Sequence, residues 1–248
     1  MRLALWIGLF ALGLAGVAVP MLYQQLAAEL PILETEEDFQ ALRVVAASTG
    51  GANPQGDKRP NGLDFGRLPR DLVAAYVSQT GCPGYFQSPR EDGLPWLSRM
   101  LAGLWGIELD GDGKCERLFA LRIAGSLRLG RGPSQWVAAI KIHRLLQKDE
   151  LIANDLNTVA LEPSVIGVAA AAQALFRKQL HELQLSEIAE LMLALPPYEL
   201  YDELKKCRHA SIIRQNRDYL LSMLVSHALV AGERVSSAQS HPIACTSD

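Results

Sequence analysis

The feature that most constrains this chain is its N-terminal apolar segment. No charged residue occurs from Leu3 to Ala28, and Leu3 to Val19 is almost wholly apolar behind the single cation Arg2. A helix of roughly 20 such residues crosses the hydrocarbon core of a bilayer. A terminal segment that is apolar on every side is poorly suited to the surface of a soluble domain. We therefore predict a transmembrane signal anchor at residues 1–28.

The charges on either side of this segment predict its orientation. Arg2 precedes it, whereas the acidic residues from Glu29 to Asp38 follow it. The positive-inside rule then keeps the N-terminus in the cytoplasm and places the chain beyond about residue 30 outside. A cleaved signal peptide stays open as an alternative, because Ala15-Gly16-Val17-Ala18 offers a small-x-small cleavage site.

Composition excludes several other classes of protein. The 248 residues are 49% hydrophobic and 21% charged, as in an ordinary globular domain, so neither a disordered chain nor a bundle of membrane helices fits. The net charge of −3 gives no basic surface field, and we expect no nucleic-acid partner. The four cysteines are far apart and form no CxxC pair, so no structural metal site is expected.

The remaining chain divides by its pattern of helix breakers and apolar periodicity. Residues 29–67 are predicted to hold a short helix and a linker rich in Gly, Pro and Asn. Residues 68–235 are helix-rich, and the polar residues 236–248 are expected to form a flexible tail. The fold class is mainly α, with predicted helices at 70–78, 95–105, 115–127, 135–146, 148–160, 165–177, 186–195 and 212–229.

Four short motifs in the C-terminal half resemble those of one enzyme family. They read, in order, HRLLQKDELIANDLNTV from His143, GVAAAAQALFRK from Gly167, LQLSEIAEL from Leu183, and PPY from Pro196 ahead of RQNR. Peptidoglycan glycosyltransferases of family 51 carry "S-K-x-E-I-L-x-x-Y-L-N-x-V", "Y-G-x-x-A-A-x-x-Y-F-G-K", "D-L-T-L-x-E-x-A-x-L" and "P-x-x-Y" in the same order. The resemblance is good over residues 141–235 and weaker over 68–140.

This resemblance implies a lysozyme-like, mainly α domain joined to one N-terminal transmembrane helix. The chain resembles a stand-alone, divergent member, held as a single-pass protein in the bacterial inner membrane with its bulk in the periplasm. The implied partners are that membrane, the lipid-linked peptidoglycan precursor and cell-wall synthesis proteins. An oxidising periplasm permits a bridge between Cys82 and Cys115, although the sequence does not decide the pairing.

Both glutamates expected from the family are replaced. The family motif that precedes the first glutamate matches this chain from Leu68-Pro69 onward. That match places the position of the first glutamate on Thr80, which is followed by Gly81. Counting back from Lys148 places the second one on Gln135, within Arg131-Gly-Pro-Ser-Gln135. Neither a threonine hydroxyl nor an amide accepts a proton near neutral pH, so neither is a general base.

Other side chains are candidates for the general base or for substrate binding. Glu91 and Asp92 are a possible relocated base, and the alternative is an exposed loop pair. By resemblance, Lys148, Asn157 and Arg131 are substrate-binding candidates. Cations on or after the helix before Pro133 are also able to face a diphosphate, namely Arg122, Arg128 and Arg131. No cofactor is expected, with Mg²⁺ or Mn²⁺ required only if the chain is active.

Three functional hypotheses follow. The first is a catalytically degenerate glycosyltransferase-like protein that binds the lipid-linked precursor, glycan or a cell-wall synthesis partner. The second is an active enzyme that polymerises the lipid-linked disaccharide with Glu91 or Asp92 as base. The third is a helical, membrane-anchored assembly factor without a carbohydrate ligand.

Overall fold

The computed structural model describes residues 68–90, 114–162 and 164–244, together with some positions between 21 and 66. Within these residues the chain is mainly helical, as predicted from the sequence. Two short strands are its only sheet among the described residues. The elements are α1 (Arg70–Gln79), α2 (Lys114–Ser126), α3 (Pro133–Leu145), α4 (Lys148–Thr158), β1 (Ala160–Glu162), β2 (Val165–Ile166), α5 (Val168–Phe176), α6 (Leu185–Leu193), α7 (Tyr201–Lys205), α8 (Ala210–Ser226) and α9 (Gly232–Ser240).

The helices pack in two groups that share one hydrophobic core. In the first group α2 lies against α3 and α4. In the second, α6 is buried along its whole length and contacts α1, α8 and α9. Helix α5 contacts both α4 and α6 and so joins the groups. Because helix α1 ends beside this junction, the residues after Gln79 lie close to the first group.

Local sequence signals account for where the helices begin. Gln147 and Glu150 form a capping box at the start of α4, in which the backbone N–H of Gln147 donates to the Glu150 carboxylate at 2.6 Å. Gln184 and Glu187 form the same arrangement at α6. Pro133 begins α3, where its missing N–H costs no hydrogen bond. These signals explain why predicted and observed boundaries of α1 to α4 agree closely at most ends.

A small hairpin lies where the sequence predicted the end of one helix, a short connection and the start of the next helix. The predicted helices 148–160 and 165–177 overlap β1 and β2, which pair antiparallel. The turn back to α5 passes through Gly167, whose φ is +81°. A Cβ on Gly167 would lie 2.8 Å from the carbonyl oxygen of Asn157, so the close approach of the two backbones requires glycine. Strands of three and two residues are too short to give an alternating pattern, so the sequence did not predict them.

The N-terminal residues are described only in part. The side chains of Leu30, Leu33 and Phe39 are buried in the common core, so part of the segment predicted as helix and linker packs onto the domain. Among the described residues, no helix combines the length and apolar character that crossing a membrane requires. Residues 1–20 of the anchor predicted at 1–28 lie outside the described residues, as does the predicted helix at 95–105, whereas most positions from 21 to 28 are described as helix.

The C-terminal segment continues beyond the predicted domain boundary at residue 235. Helix α9 extends to Ser240, and Ile243 and Ala244 pack against the core. The guanidinium of Arg217, fully buried in α8, donates to the carbonyl oxygens of Gln239 at 3.1 Å and His241 at 2.9 Å. The expected flexible tail is therefore ordered as far as residue 244, because a buried cation binds its backbone.

Candidate functional site

The candidate site begins at the end of α1, where the family places its first glutamate. Thr80 is the C-cap of this helix, and its hydroxyl donates to the carbonyl oxygens of Tyr76 at 2.9 Å and Val77 at 3.3 Å. Gly81 follows in a left-handed conformation, with φ of +72°. The Thr80 hydroxyl therefore donates to its own helix, and it contacts no acidic side chain among the described residues.

A disulfide bond joins the turn after Thr80 to the start of α2. Cys82 and Cys115 are bonded, with their Cα atoms 6.0 Å apart. The bond resolves the pairing that the sequence left open. It also fixes the turn at residues 81–90 beside the first residues of α2, where Glu116 immediately follows the second cysteine.

Glu116 forms a buried ion cluster that sequence reasoning did not identify. Its side chain is 1% exposed, and its Oε2 atom lies 2.7 Å from Nε2 of His143, which is 2% exposed. Its Oε1 atom lies 3.3 Å from the Lys148 ammonium. Oε1 accepts no hydrogen bond of good geometry among the described residues, so the link to Lys148 is an ion pair. The cluster joins α2, α3 and α4 at one point.

Lys148, the predicted substrate-binding cation, is held by the turn after Thr80. Its ammonium donates to the carbonyl oxygens of Tyr85 at 2.5 Å and Ser88 at 2.6 Å, and lies 4.7 Å from the centre of the Tyr85 ring. The Tyr85 hydroxyl in turn donates to the Lys148 carbonyl oxygen at 2.8 Å. Burial, and next the negative charge of Glu116, raise the pKa of the Tyr85 phenol, so it stays a neutral donor.

A second buried carboxylate lies on α4 at Asp155, which stands where the family motif has tyrosine. Its Oδ2 atom accepts a hydrogen bond from the Tyr76 hydroxyl and pairs with Nε of Arg122 at 3.3 Å. Its Oδ1 atom has no hydrogen-bond partner among the described residues. Burial raises the pKa of Asp155 to about 6, although the Arg122 charge and the Tyr76 hydroxyl oppose the shift. Arg122, a predicted diphosphate cation, is thus paired within the protein.

Gln135, the second replaced glutamate position, lies apart from this cluster. Its side-chain amide donates to the carbonyl oxygen of Leu121 at 3.2 Å and packs against Gly125. Eight residues of α3 separate Gln135 from His143, which corresponds to about 12 Å along the helix axis. The Gln135 side chain therefore connects α3 to α2 at a point distant from the Glu116 cluster.

The other predicted site residues do not join the cluster. Arg128 and Arg131 are exposed in the turn between α2 and α3. Asn157 is half-buried in the last turn of α4, where its carbonyl oxygen faces Gly167. Glu91 and Asp92 lie outside the described residues. Of the predicted residues, Thr80 immediately precedes the turn at residues 81–90, and Lys148 donates to carbonyl oxygens of that turn.

No metal centre is evident in the part of the chain that the structure describes. Its His, Cys, Asp and Glu side chains include no group of three able to hold an ion. The carboxylate of Glu116 instead contacts Lys148 and His143, and that of Asp155 contacts Tyr76 and Arg122. This arrangement holds three helices together and leaves neither acid exposed to a ligand.

Known proteins resemble this chain over the same region. The transglycosylase family profile matches residues 124–225. Penicillin-binding protein 1A of Escherichia coli is 25% identical over 173 residues, which cover 68% of this chain and 20% of that protein. The Haemophilus influenzae protein of the same name is 32% identical over 107 residues, or 43% of this chain and 12% of that protein.

A shorter relative is also similar. A Cupriavidus necator protein that is provisionally named a transglycosylase is 25% identical over 138 residues, covering 53% of this chain and 58% of its own length. The chain thus spans a fifth or less of the two penicillin-binding proteins and under two thirds of this shorter one. The matched region includes α3 to α8 and ends before α9.

Proposed function

Residues 124–225 of this chain form a divergent transglycosylase domain, and from this premise we propose that the protein is a peptidoglycan glycosyltransferase-like protein without transferase activity. In this proposal it binds a cell-wall ligand or a cell-wall synthesis partner. Its N-terminal segment anchors it in the inner membrane, with the domain on the periplasmic face. The Cys82–Cys115 bond supports an oxidising compartment, because such bonds persist there and are rare in the cytosol.

One observation carries the loss of activity. At the position of the first family glutamate, the Thr80 hydroxyl is bonded to the carbonyl oxygens of its own helix. Transfer of a sugar requires a base that removes a proton from the attacking hydroxyl, and a base must reach that proton at hydrogen-bond distance. A threonine hydroxyl has no basicity near neutral pH. This position therefore supports the fold and supplies no proton acceptor.

The buried carboxylates do not replace the missing base. Glu116 and Asp155 are each 1% exposed, so a substrate hydroxyl has no route to their oxygens. Glu116 is engaged by His143 and Lys148, and Asp155 by Tyr76 and Arg122. Both acids act as counter-ions that stabilise the packing of α2 against α3 and α4.

Polymerisation of lipid-linked disaccharide by the purified, detergent-solubilised full chain tests the proposal. We expect no glycan chains from the unmodified protein. The double variant Thr80→Glu, Gln135→Glu restores both carboxylates, and any product from it would show that the fold still admits the substrate. Long glycan chains from the unmodified protein would contradict the proposal. Loss of those chains on changing Glu91 or Asp92 to alanine would then assign the base to that pair.

A further inference from the structure

We propose that Glu116 is an internal anion that neutralises the cation Lys148, so that this site rejects diphosphates. The inference rests on the proposed function, because it concerns which ligand the inactive domain retains. In this proposal Glu116 is a specificity-determining residue, because its carboxylate lies where an anionic ligand would need to bind beside Lys148.

The contacts of Lys148 leave little capacity for an external anion. An ammonium group has three N–H donors. Two reach the carbonyl oxygens of Tyr85 and Ser88, at 2.5 Å and 2.6 Å. A further hydrogen bond reaches the Ser88 hydroxyl oxygen at 3.3 Å, and Oε1 of Glu116, also at 3.3 Å, forms an ion pair with the ammonium without accepting a hydrogen bond. A phosphate oxygen would have to displace one of these groups to bind the lysine directly.

Glu116 cannot move aside easily. Its other oxygen, Oε2, lies 2.7 Å from His143, and both side chains are almost fully buried on facing helices. The disulfide at Cys115 fixes the residue immediately before it to the turn at Cys82. Turning the carboxylate away would break the contact with His143 and leave a charge buried without a partner, which is costly.

The second cation of the site has the same arrangement. Arg122 pairs with Asp155 at 3.3 Å, and its guanidinium carbon lies 5.5 Å from the centre of the Tyr76 ring. Two cations thus face two internal carboxylates within the packing of α2 and α4. The two carboxylates therefore cancel the attraction that the two cations would exert on a dianion in this region of low dielectric constant. The site consequently selects against the diphosphate part of a lipid-linked precursor.

Titration of inorganic pyrophosphate into the full-length protein tests this inference. Calorimetry should detect no binding to the unmodified protein at ligand concentrations up to about 1 mM. The variant Glu116→Gln keeps the shape of the side chain and removes its charge, so Lys148 gains an unopposed charge. We expect its affinity for pyrophosphate to rise about tenfold or more, because no carboxylate then cancels the charge of the ammonium.

Two further variants make the result specific. Adding Lys148→Met to Glu116→Gln should abolish the gained binding. The control Glu162→Gln frees Lys205, which is paired at 3.0 Å outside this site, and should give no gain. Saturable binding of pyrophosphate to the unmodified protein, lost on Lys148→Met, would overturn the inference, even if Glu116→Gln did not fold. An equal gain in Glu162→Gln would also overturn it.

This outcome is distinguishable from failure of the proposed function. If the unmodified protein binds pyrophosphate but forms no glycan, the role of Glu116 is wrong and the lack of activity stands. If the protein polymerises the precursor, the lack of activity is wrong, and the pyrophosphate titration still decides whether Glu116 opposes diphosphates.

Discussion

Tyr85 and Lys148 bind each other at two points. The Tyr85 hydroxyl donates to the Lys148 carbonyl oxygen at 2.8 Å, and the Lys148 ammonium donates to the Tyr85 carbonyl oxygen at 2.5 Å. This reciprocal pair connects the turn after Thr80 to the first residue of α4. A lysine that the sequence motif suggested for ligand binding is consequently a structural tie between two segments 63 residues apart.

Removing the Tyr85 hydroxyl should destabilise the domain moderately. We expect Tyr85→Phe to lower the free energy of unfolding by about 1 kcal/mol, because the hydrogen bond to the Lys148 carbonyl oxygen is lost. Chemical denaturation followed by circular dichroism measures the change. Tyr219→Phe is the matched control, since that ring is 59% exposed and should give no measurable effect. Equal stability of Tyr85→Phe and the unmodified protein would show that the tie contributes nothing.

Reduction of the disulfide should weaken the fold strongly. Cys82 and Cys115 are 33 residues apart in sequence, and closing a loop of that size stabilises a protein by about 3–4 kcal/mol in the chain-entropy model. We expect Cys82→Ser with Cys115→Ser to lose a comparable amount in denaturant titrations. Cys207→Ser should change little, because Cys207 is not bonded. A double variant as stable as the unmodified protein would contradict this prediction.

Gly167 should tolerate no side chain. Its φ of +81° is strained for other residues, and an added Cβ would lie 2.8 Å from the Asn157 carbonyl oxygen. Gly167→Ala should therefore destabilise the protein by more than ~1 kcal/mol. Gly232→Ala provides the comparison, because a Cβ there meets no atom within 4 Å. The two melting temperatures should separate clearly, and coincidence of the two would disprove the close approach.

Asp155 should make stability fall as pH rises. Its folded pKa of about 6 exceeds its ordinary value of 3.8, so the native state retains a proton that the unfolded chain has lost between these values. Stability from this group is present below about pH 4 and lost as pH rises towards 6. Asp155→Asn should reduce that slope in unfolding measurements from pH 4 to 6.

A second acid gives the control for this pH dependence. Burial raises the pKa of Glu190 to about 7 from 4.5, in the same direction. Glu190→Gln should therefore reduce the slope mainly between pH 4.5 and 7, at higher pH than Asp155→Asn. Identical slopes in the unmodified protein and both variants would contradict the assignment of the two groups.

The sequence predicted the helices better than the site. Periodic apolar residues and helix-start signals located α1 to α4 closely, because these helices bury regular faces. The sequence did not predict helix α9, because its buried side chains are only Val235 and Ala238 within a polar segment. Its position depends on Arg217, which reaches its last residues from α8. A contact of this kind joins distant residues and leaves no local pattern.

Motif spacing predicts Thr80 and Gln135 as neutral replacements of the two family glutamates, and this assignment stays a prediction. The roles of Glu116 and Asp155 could not be predicted, because each depends on partners on other helices, such as His143 at a separation of 27 residues and Tyr76 at 79. An acid within an apolar helix was the available signal, and it does not distinguish a counter-ion from a base.

The most direct test of the central claim is release of the lipid diphosphate product under single-turnover conditions. Full-length protein in excess over lipid-linked disaccharide is quenched at intervals and the released lipid is quantified. The absence of a usable base at Thr80 predicts release no faster than in buffer with detergent alone. Release of the lipid diphosphate by the unmodified protein, in proportion to the protein added, would contradict the claim that this transglycosylase domain is inactive.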